Sequence, residues 1–195
     1  SSAASDVYKR QVYIMLRLIV QLYVQDGNPL AHLAHSILGQ VYVALPLMLL
    51  EFFYMVAGWH IVLSMFILIW VNDTGAFCVG SLIGKHKLFE RISPKKSWEG
   101  FIGGLAFCLI ASAAVFYIWP DNLNGITLPE MLVYGAIVCV FSTWGDLVES
   151  MIKRALGVKD SGNILPGHGG ILDRIDSLLL VAPASFVYFM LLLFR

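Results

Sequence analysis

WEGFIGGLAFCLIASAAVFYIW, residues 98–119, carries one acid beside its first tryptophan and then no charge at all. At helical rise, Trp98 and Trp119 lie roughly 31 Å apart, close to the roughly 30 Å thickness of a bilayer's hydrocarbon core. Tryptophan favours both membrane interfaces, so the pair brackets a spanning helix. Working outward, apolar runs at about 37–56, 58–80, 130–150 and 171–194 are each long enough for the roughly 20 residues a helix needs to cross. Residues 12–24 are apolar but short and are interrupted by Arg17. Residues 26–36 read as a turn and a short polar connection. The expected fold is all-α: a polytopic helical membrane protein of about five transmembrane helices plus a short N-terminal helix.

Composition agrees. Of 195 residues, 58% are hydrophobic and 13% charged, and the mean hydropathy is +0.77. A soluble domain normally carries about a quarter charged residues. The formal net charge is zero, so charge placement matters more than the total, and no nucleic-acid partner is expected. Cys78, Cys108 and Cys139 are dispersed in apolar runs, which suits neither a disulfide framework nor a zinc site. Residues 1–11, SSAASDVYKRQ, match poorly with the apolar chain beyond them and read as a non-native adapter scar. Residues 12–195 then form one membrane-embedded catalytic domain, the C-terminal part of a longer protein.

The loops set an orientation. Residues 81–98 carry Lys85, Lys87, Arg91, Lys95 and Lys96, and residues 151–170 carry Lys153, Arg154 and Lys159, whereas 120–129 has no lysine or arginine. Two spans separate the basic loops, so both face one side, and the positive-inside rule makes it the cytoplasm. The expectation is a multi-pass protein of the inner membrane with its chemistry on the cytoplasmic face.

That chemistry is signalled by polar groups within apolar runs. Asn72 and Asp73 lie in the second span, Asp146 and Glu149 near the end of the fourth, and Asp173, Arg174 and Asp176 open the fifth. Ionisable residues in membrane segments are costly and mark function. A lone Asp173 is also explained as an acid at a helix N-terminus. Asp176, three residues on, shares its face and adds a like charge. With Asp146 at the same depth, the carboxylates must protonate or hold a cation. All-oxygen ligands suit Mg2+. The loop Leu165-Pro166-Gly167-His168-Gly169-Gly170 precedes a helix N-terminus, where glycine lets backbone approach a phosphate. Gly80–Lys85 lacks P-loop spacing.

Residues 150–176, SMIKRALGVKDSGNILPGHGGILDRID, resemble the signature of the phosphatidate cytidylyltransferase (CDP-diglyceride synthase) family. Ser150, Lys153, Arg154, Lys159, Asp160, His168, Gly169, Gly170, Asp173, Arg174 and Asp176 fall where that signature asks. Asn72–Ala76 and Ser93–Gly100 are similar to further family segments, and the likeness covers roughly residues 37–195. The resemblance implies that the phosphate of phosphatidic acid attacks the α-phosphorus of CTP, giving CDP-diacylglycerol and pyrophosphate. It implies Mg2+ on Asp146, Asp173 and Asp176, compatible with a second, monovalent cation such as K+. It assigns Lys153, Arg154, Lys159, His168, Gly169 and Gly170 to the triphosphate or pyrophosphate, and Lys95 and Lys96 to the lipid phosphate. For those two lysines, ordinary positive-inside charge is the competing account. A homodimer also follows from the resemblance alone. Two other functions stay open: a CTP-dependent lipid kinase of the dolichol-kinase type, and a transporter using intramembrane carboxylates.

Overall fold

In the computed structural model the described residues are 2–24, 27–123, 125–162 and 170–194. They divide into two compact units, Ser1–Leu45 and Pro46–Arg195. Among the described residues, five helical stretches are long and apolar enough to span a membrane: Pro29–Ala57, Trp59–Ile83, Trp98–Ile118, Leu128–Ala155 and Leu172–Leu193. The all-α membrane class expected from the sequence is therefore present.

The first unit holds α1 (Ser2–Gln21), α2 (Pro29–Gly39) and a π-helical turn at Gln40–Ala44. Arg17, the charge that interrupts the first apolar stretch, donates to Ser36 Oγ from Nη2 at 2.9 Å and from Nε at 3.2 Å. Residues expected to be a polar connection are mostly helix. Asn28 caps α2 by accepting from Leu30 N at 3.0 Å and Ala31 N at 3.4 Å, with Pro29 at the first turn. Proline there gives up only an amide that had no helical partner.

The second unit contains α3 (Leu45–Ala57) from Pro46 on, α4 (Trp59–Ile83), α5 (Trp98–Ile118), α6 (Leu128–Ala155) and α7 (Leu172–Leu193). Its core gathers Phe53, Ile61, Met65, Leu68, Tyr134, Val138 and Phe189, all fully or almost fully buried. Rings of Phe53 and Phe189 lie 5.2 Å apart and those of Tyr134 and Phe189 5.0 Å. In lipid, such packing is what holds helices together, and small residues let backbones approach. Gly104 of α5 faces α4 so closely that a Cβ there would come 2.5 Å from Asn72 Oδ1. Gly145 of α6 faces α7, where a Cβ would come 2.9 Å from both the Asp176 carbonyl and Ser177 Cα.

Between α4 and α5 the expected basic loop is a β-hairpin. Strand β1 (Lys87–Phe89) pairs antiparallel with β2 (Ser93–Ser97), with Lys87 opposite Ser97 and Phe89 opposite Ser93. The first turn of α5 anchors its base. Glu99 accepts from Lys85 N at 3.1 Å, from His86 N at 3.2 Å and from His86 Nδ1 at 2.5 Å. Ser97 caps α5 by accepting from Gly100 N at 3.1 Å.

Candidate functional site

The C-terminal ends of α4 and α6, the N-terminal ends of α5 and α7, and the hairpin lie at one end of the second unit. The close approach at Gly145 sets the geometry there. It brings the last turns of α6 against the first turn of α7, so Asp146 and Glu149 meet Asp176. One oxygen from each of these three carboxylates lies within 4.8 Å of the others. Glu149 is buried, and its Oε1 has no hydrogen-bond donor among the described residues. Lys153 meets only the other oxygen, and a buried carboxylate oxygen left unpaired is costly, which a further cation would relieve. The donor set is all oxygen, which fits a hard divalent ion bound at about 2.1 Å per ligand.

Asp173 is not one of the three, but it adjoins Glu149 and shares Lys153 with it. Its Oδ1 accepts from Lys153 Nζ at 2.7 Å. Its Oδ2 accepts from Ser161 N at 2.9 Å, Ser161 Oγ at 2.8 Å and Gly170 N at 2.7 Å. Lys153 also sits 2.5 Å from Glu149 Oε2, so it lies between Glu149 and Asp173. The structure thus joins two of the three expected cation ligands and puts Glu149 beside them, while Asp173 ties Lys153 and the two ends of the preceding loop. The spacing that reveals Glu149 is plain afterwards: it is three residues after Asp146 and four before Lys153, all on one helix face.

Lys96 reaches the trio from the hairpin. Its Nζ is 2.6 Å from Asp146 Oδ2 and donates to the Thr143 carbonyl at 3.1 Å. Asp146 Oδ1 accepts from Ser150 Oγ at 3.2 Å. Beside this pair opens a cavity of about 550 Å3 whose lining includes Asn72, Asp73, Lys87, Lys95, Lys96 and Asp146. Much of the remaining wall is apolar, including Ala76, Phe77, Leu88 and Phe101. A space with apolar walls and a few converging charges fits an amphiphile with a charged head.

Arg154 and Lys159 are exposed. The Gly170 amide is directed to Asp173. His168 and Gly169 lie outside the described residues.

Residues 4–193 match the model of the Cytidylyltransferase family. The chain is 42% identical over 183 residues to a phosphatidate cytidylyltransferase of Staphylococcus haemolyticus, covering 92% of this chain and 68% of that protein. It is 50% identical over 131 residues to the phosphatidate cytidylyltransferase of Staphylococcus aureus, covering 65% of this chain and 47% of the relative. A Staphylococcus saprophyticus protein of the same name is 51% identical over 126 residues, with the same two shares of 65% and 47%. The matches thus span about two thirds of the first relative's length and about half of the others'. Matched along nearly its whole length, with an acidic cluster and a lysine-lined cavity meeting at the end of its helices, the chain belongs to the cytidylyltransferase family.

Proposed function

We propose that the chain transfers the cytidylyl group of CTP to phosphatidic acid, forming CDP-diacylglycerol and releasing pyrophosphate. One observation carries this reading. Asp146 is at once a member of the carboxylate trio and part of the wall of the lysine-lined cavity, so a cation site and an amphiphile site share a residue. The lipid's head phosphate would lie against Lys95 and Lys96 with its acyl chains along the apolar wall. Its oxygen attacks the α-phosphorus of CTP, the α–β bond breaks, and pyrophosphate leaves with the electron pair. Such a transfer needs positioning and charge neutralisation more than covalent catalysis.

Asp146, Glu149 and Asp176 would hold Mg2+, with Asp173 supporting them through Lys153. The ion would supply neutralisation of the phosphate oxygens. A monovalent ion such as K+ is a second candidate for the same acidic region. Lys153, Arg154 and Lys159, with His168, Gly169 and Gly170, are assigned to the triphosphate and departing pyrophosphate. The basic hairpin and the basic end of α6 support a cytoplasmic position for this end, the side that carries CTP, by the positive-inside rule.

Release of labelled pyrophosphate from CTP, dependent on added phosphatidic acid, tests the reaction. Release of CDP would indicate a kinase, and release independent of lipid would remove the proposed acceptor. For orientation, Glu90→Cys and Asp121→Cys are placed singly in a background without the native cysteines. In intact cells an impermeant maleimide should label only the second. The opposite pattern would reverse the assigned topology.

A further inference from the structure

Two lysines contact the acidic end, and they are held differently. Lys153 is clamped between two carboxylates, Glu149 and Asp173, and its side chain is 17% exposed. Withdrawing it would strand a glutamate whose side chain is only 1% exposed. Lys96 is held by one carboxylate and one carbonyl, and both members of its ion pair stay partly open, at 25% for Lys96 and 39% for Asp146. It also borders the cavity in which a headgroup would lie, as does Asp146.

A divalent cation needs Asp146 oxygens, and one of them is covered by the Lys96 ammonium. The Ser150 hydroxyl on the other oxygen is neutral and can rotate or remain. The ammonium cannot remain at that distance, because like charges sharing one carboxylate in a partly buried site repel strongly. Resting on the function proposed above, we propose that Lys96 is a placeholder cation. It neutralises Asp146 while the trio holds no metal, and it moves onto the phosphate of the lipid in the cavity when the metal enters. Metal and lipid phosphate then load cooperatively, each removing an obstacle to the other, and the coupling is reciprocal. A cell's free divalent ion alone does not fill the site, and a lipid phosphate meets a charged lysine that has just been released.

The test measures binding and needs no turnover. The full chain in detergent is titrated with Mn2+, read by its electron paramagnetic resonance signal, with no CTP present. Lys96→Met should bind Mn2+ at least about tenfold more tightly than the unaltered chain, corresponding to about 1.4 kcal/mol. Lys96→Arg, which retains the charge, should resemble the unaltered chain. Short-chain phosphatidic acid should tighten Mn2+ binding to the unaltered chain by a similar factor and have little effect on Lys96→Met. Lys96→Gln serves the same purpose where the methionine variant does not fold. Equal affinity of the unaltered and uncharged variants, or no tightening by the lipid, would overturn the proposal. Tightening in a chain that releases no pyrophosphate supports the placeholder while removing the assigned activity; turnover without tightening does the reverse.

Discussion

The two ends of the second unit are built from the same helices and dispose of their polar groups in opposite ways. At the end holding the α3–α4 and α5–α6 connections, polar groups close on near neighbours or stack. Glu130 accepts from Thr127 N at 2.8 Å and from Thr127 Oγ1 at 2.7 Å, capping α6. Trp59 stacks on His60 and Trp119 meets both edge-on, an aromatic group of the kind found at membrane interfaces. At the other end, charges on different elements meet: Lys96 of the hairpin on Asp146 of α6, and Lys153 of α6 on Asp173 of α7. One end spends its polar groups on staying folded. The other keeps carboxylates close together and a buried glutamate incompletely satisfied, a costly arrangement for which cation and phosphate binding provide a reason.

If that division is real, substitutions in the aromatic core and at the charged end should produce separable effects. The largest is expected in the core. Phe189 is buried against both Phe53 and Tyr134. Phe189→Ala should cost about 3–5 kcal/mol of stability, as large-to-small core changes do. A clear drop in melting temperature in detergent should accompany turnover per folded molecule that is nearly unchanged in the cold. Loss of turnover in protein that remains folded would mean that the two ends are coupled.

Asp146→Asn should do the opposite. Removing one ligand charge should lower turnover about a hundredfold, or roughly 2.7 kcal/mol of transition-state stabilisation. It relieves repulsion within the trio but also removes the partly exposed partner of Lys96, so its melting temperature should change little. Asp173→Asn should lower both quantities, since it removes the charge facing Lys153 and weakens the ties to Ser161 and Gly170. Equal melting temperatures for the two variants would show that Asp173 has no structural share.

The sequence shows the helices well because their signals are local. Trp98 and Trp119 bracket α5 almost to the residue, and the apolar runs locate the other spans. The hairpin is harder to see: its strands are three and five residues long, lie in a basic loop and contain Pro94. Their base is secured by Glu99, a contact made across the chain and not within the strands. The start of α2 is announced by Asn28-Pro29, a cap and first-turn pair that the surrounding polar residues obscure. At the site, the residue types and the depth of the acids are legible. Which acids meet is not, because that depends on Gly145 letting two helices touch and on Lys153 choosing Asp173.

Gly145→Ala tests that dependence directly. The new methyl would meet backbone atoms of Asp176 and Ser177, which cannot rotate away. The helices must separate, at a cost of about 1–3 kcal/mol typical of overpacking. Stability and turnover should fall together, because the same shift draws Asp146 and Glu149 from Asp176. Turnover that survives a lower melting temperature would show that this contact does not set the cluster.

The smallest effect should come from Lys95, the exposed neighbour of Lys96 on β2. Both lysines border the cavity, but Lys96 is tied to Asp146 and Thr143. Lys95 would therefore act as a charge that helps bind the lipid phosphate without adding to the stabilisation of the transition state. Lys95→Ala should raise the apparent KM for phosphatidic acid about tenfold or less, at most about 1.4 kcal/mol, with kcat nearly constant. An exposed charge is also screened by salt, over about 10 Å at 0.1 M and about 3 Å at 1 M. The gap between Lys95→Ala and the unaltered chain should therefore narrow as salt rises, whereas the Asp146→Asn deficit should persist. A fall in kcat at constant KM would instead place Lys95 at the chemistry, and the contrast between the two adjacent lysines would fail.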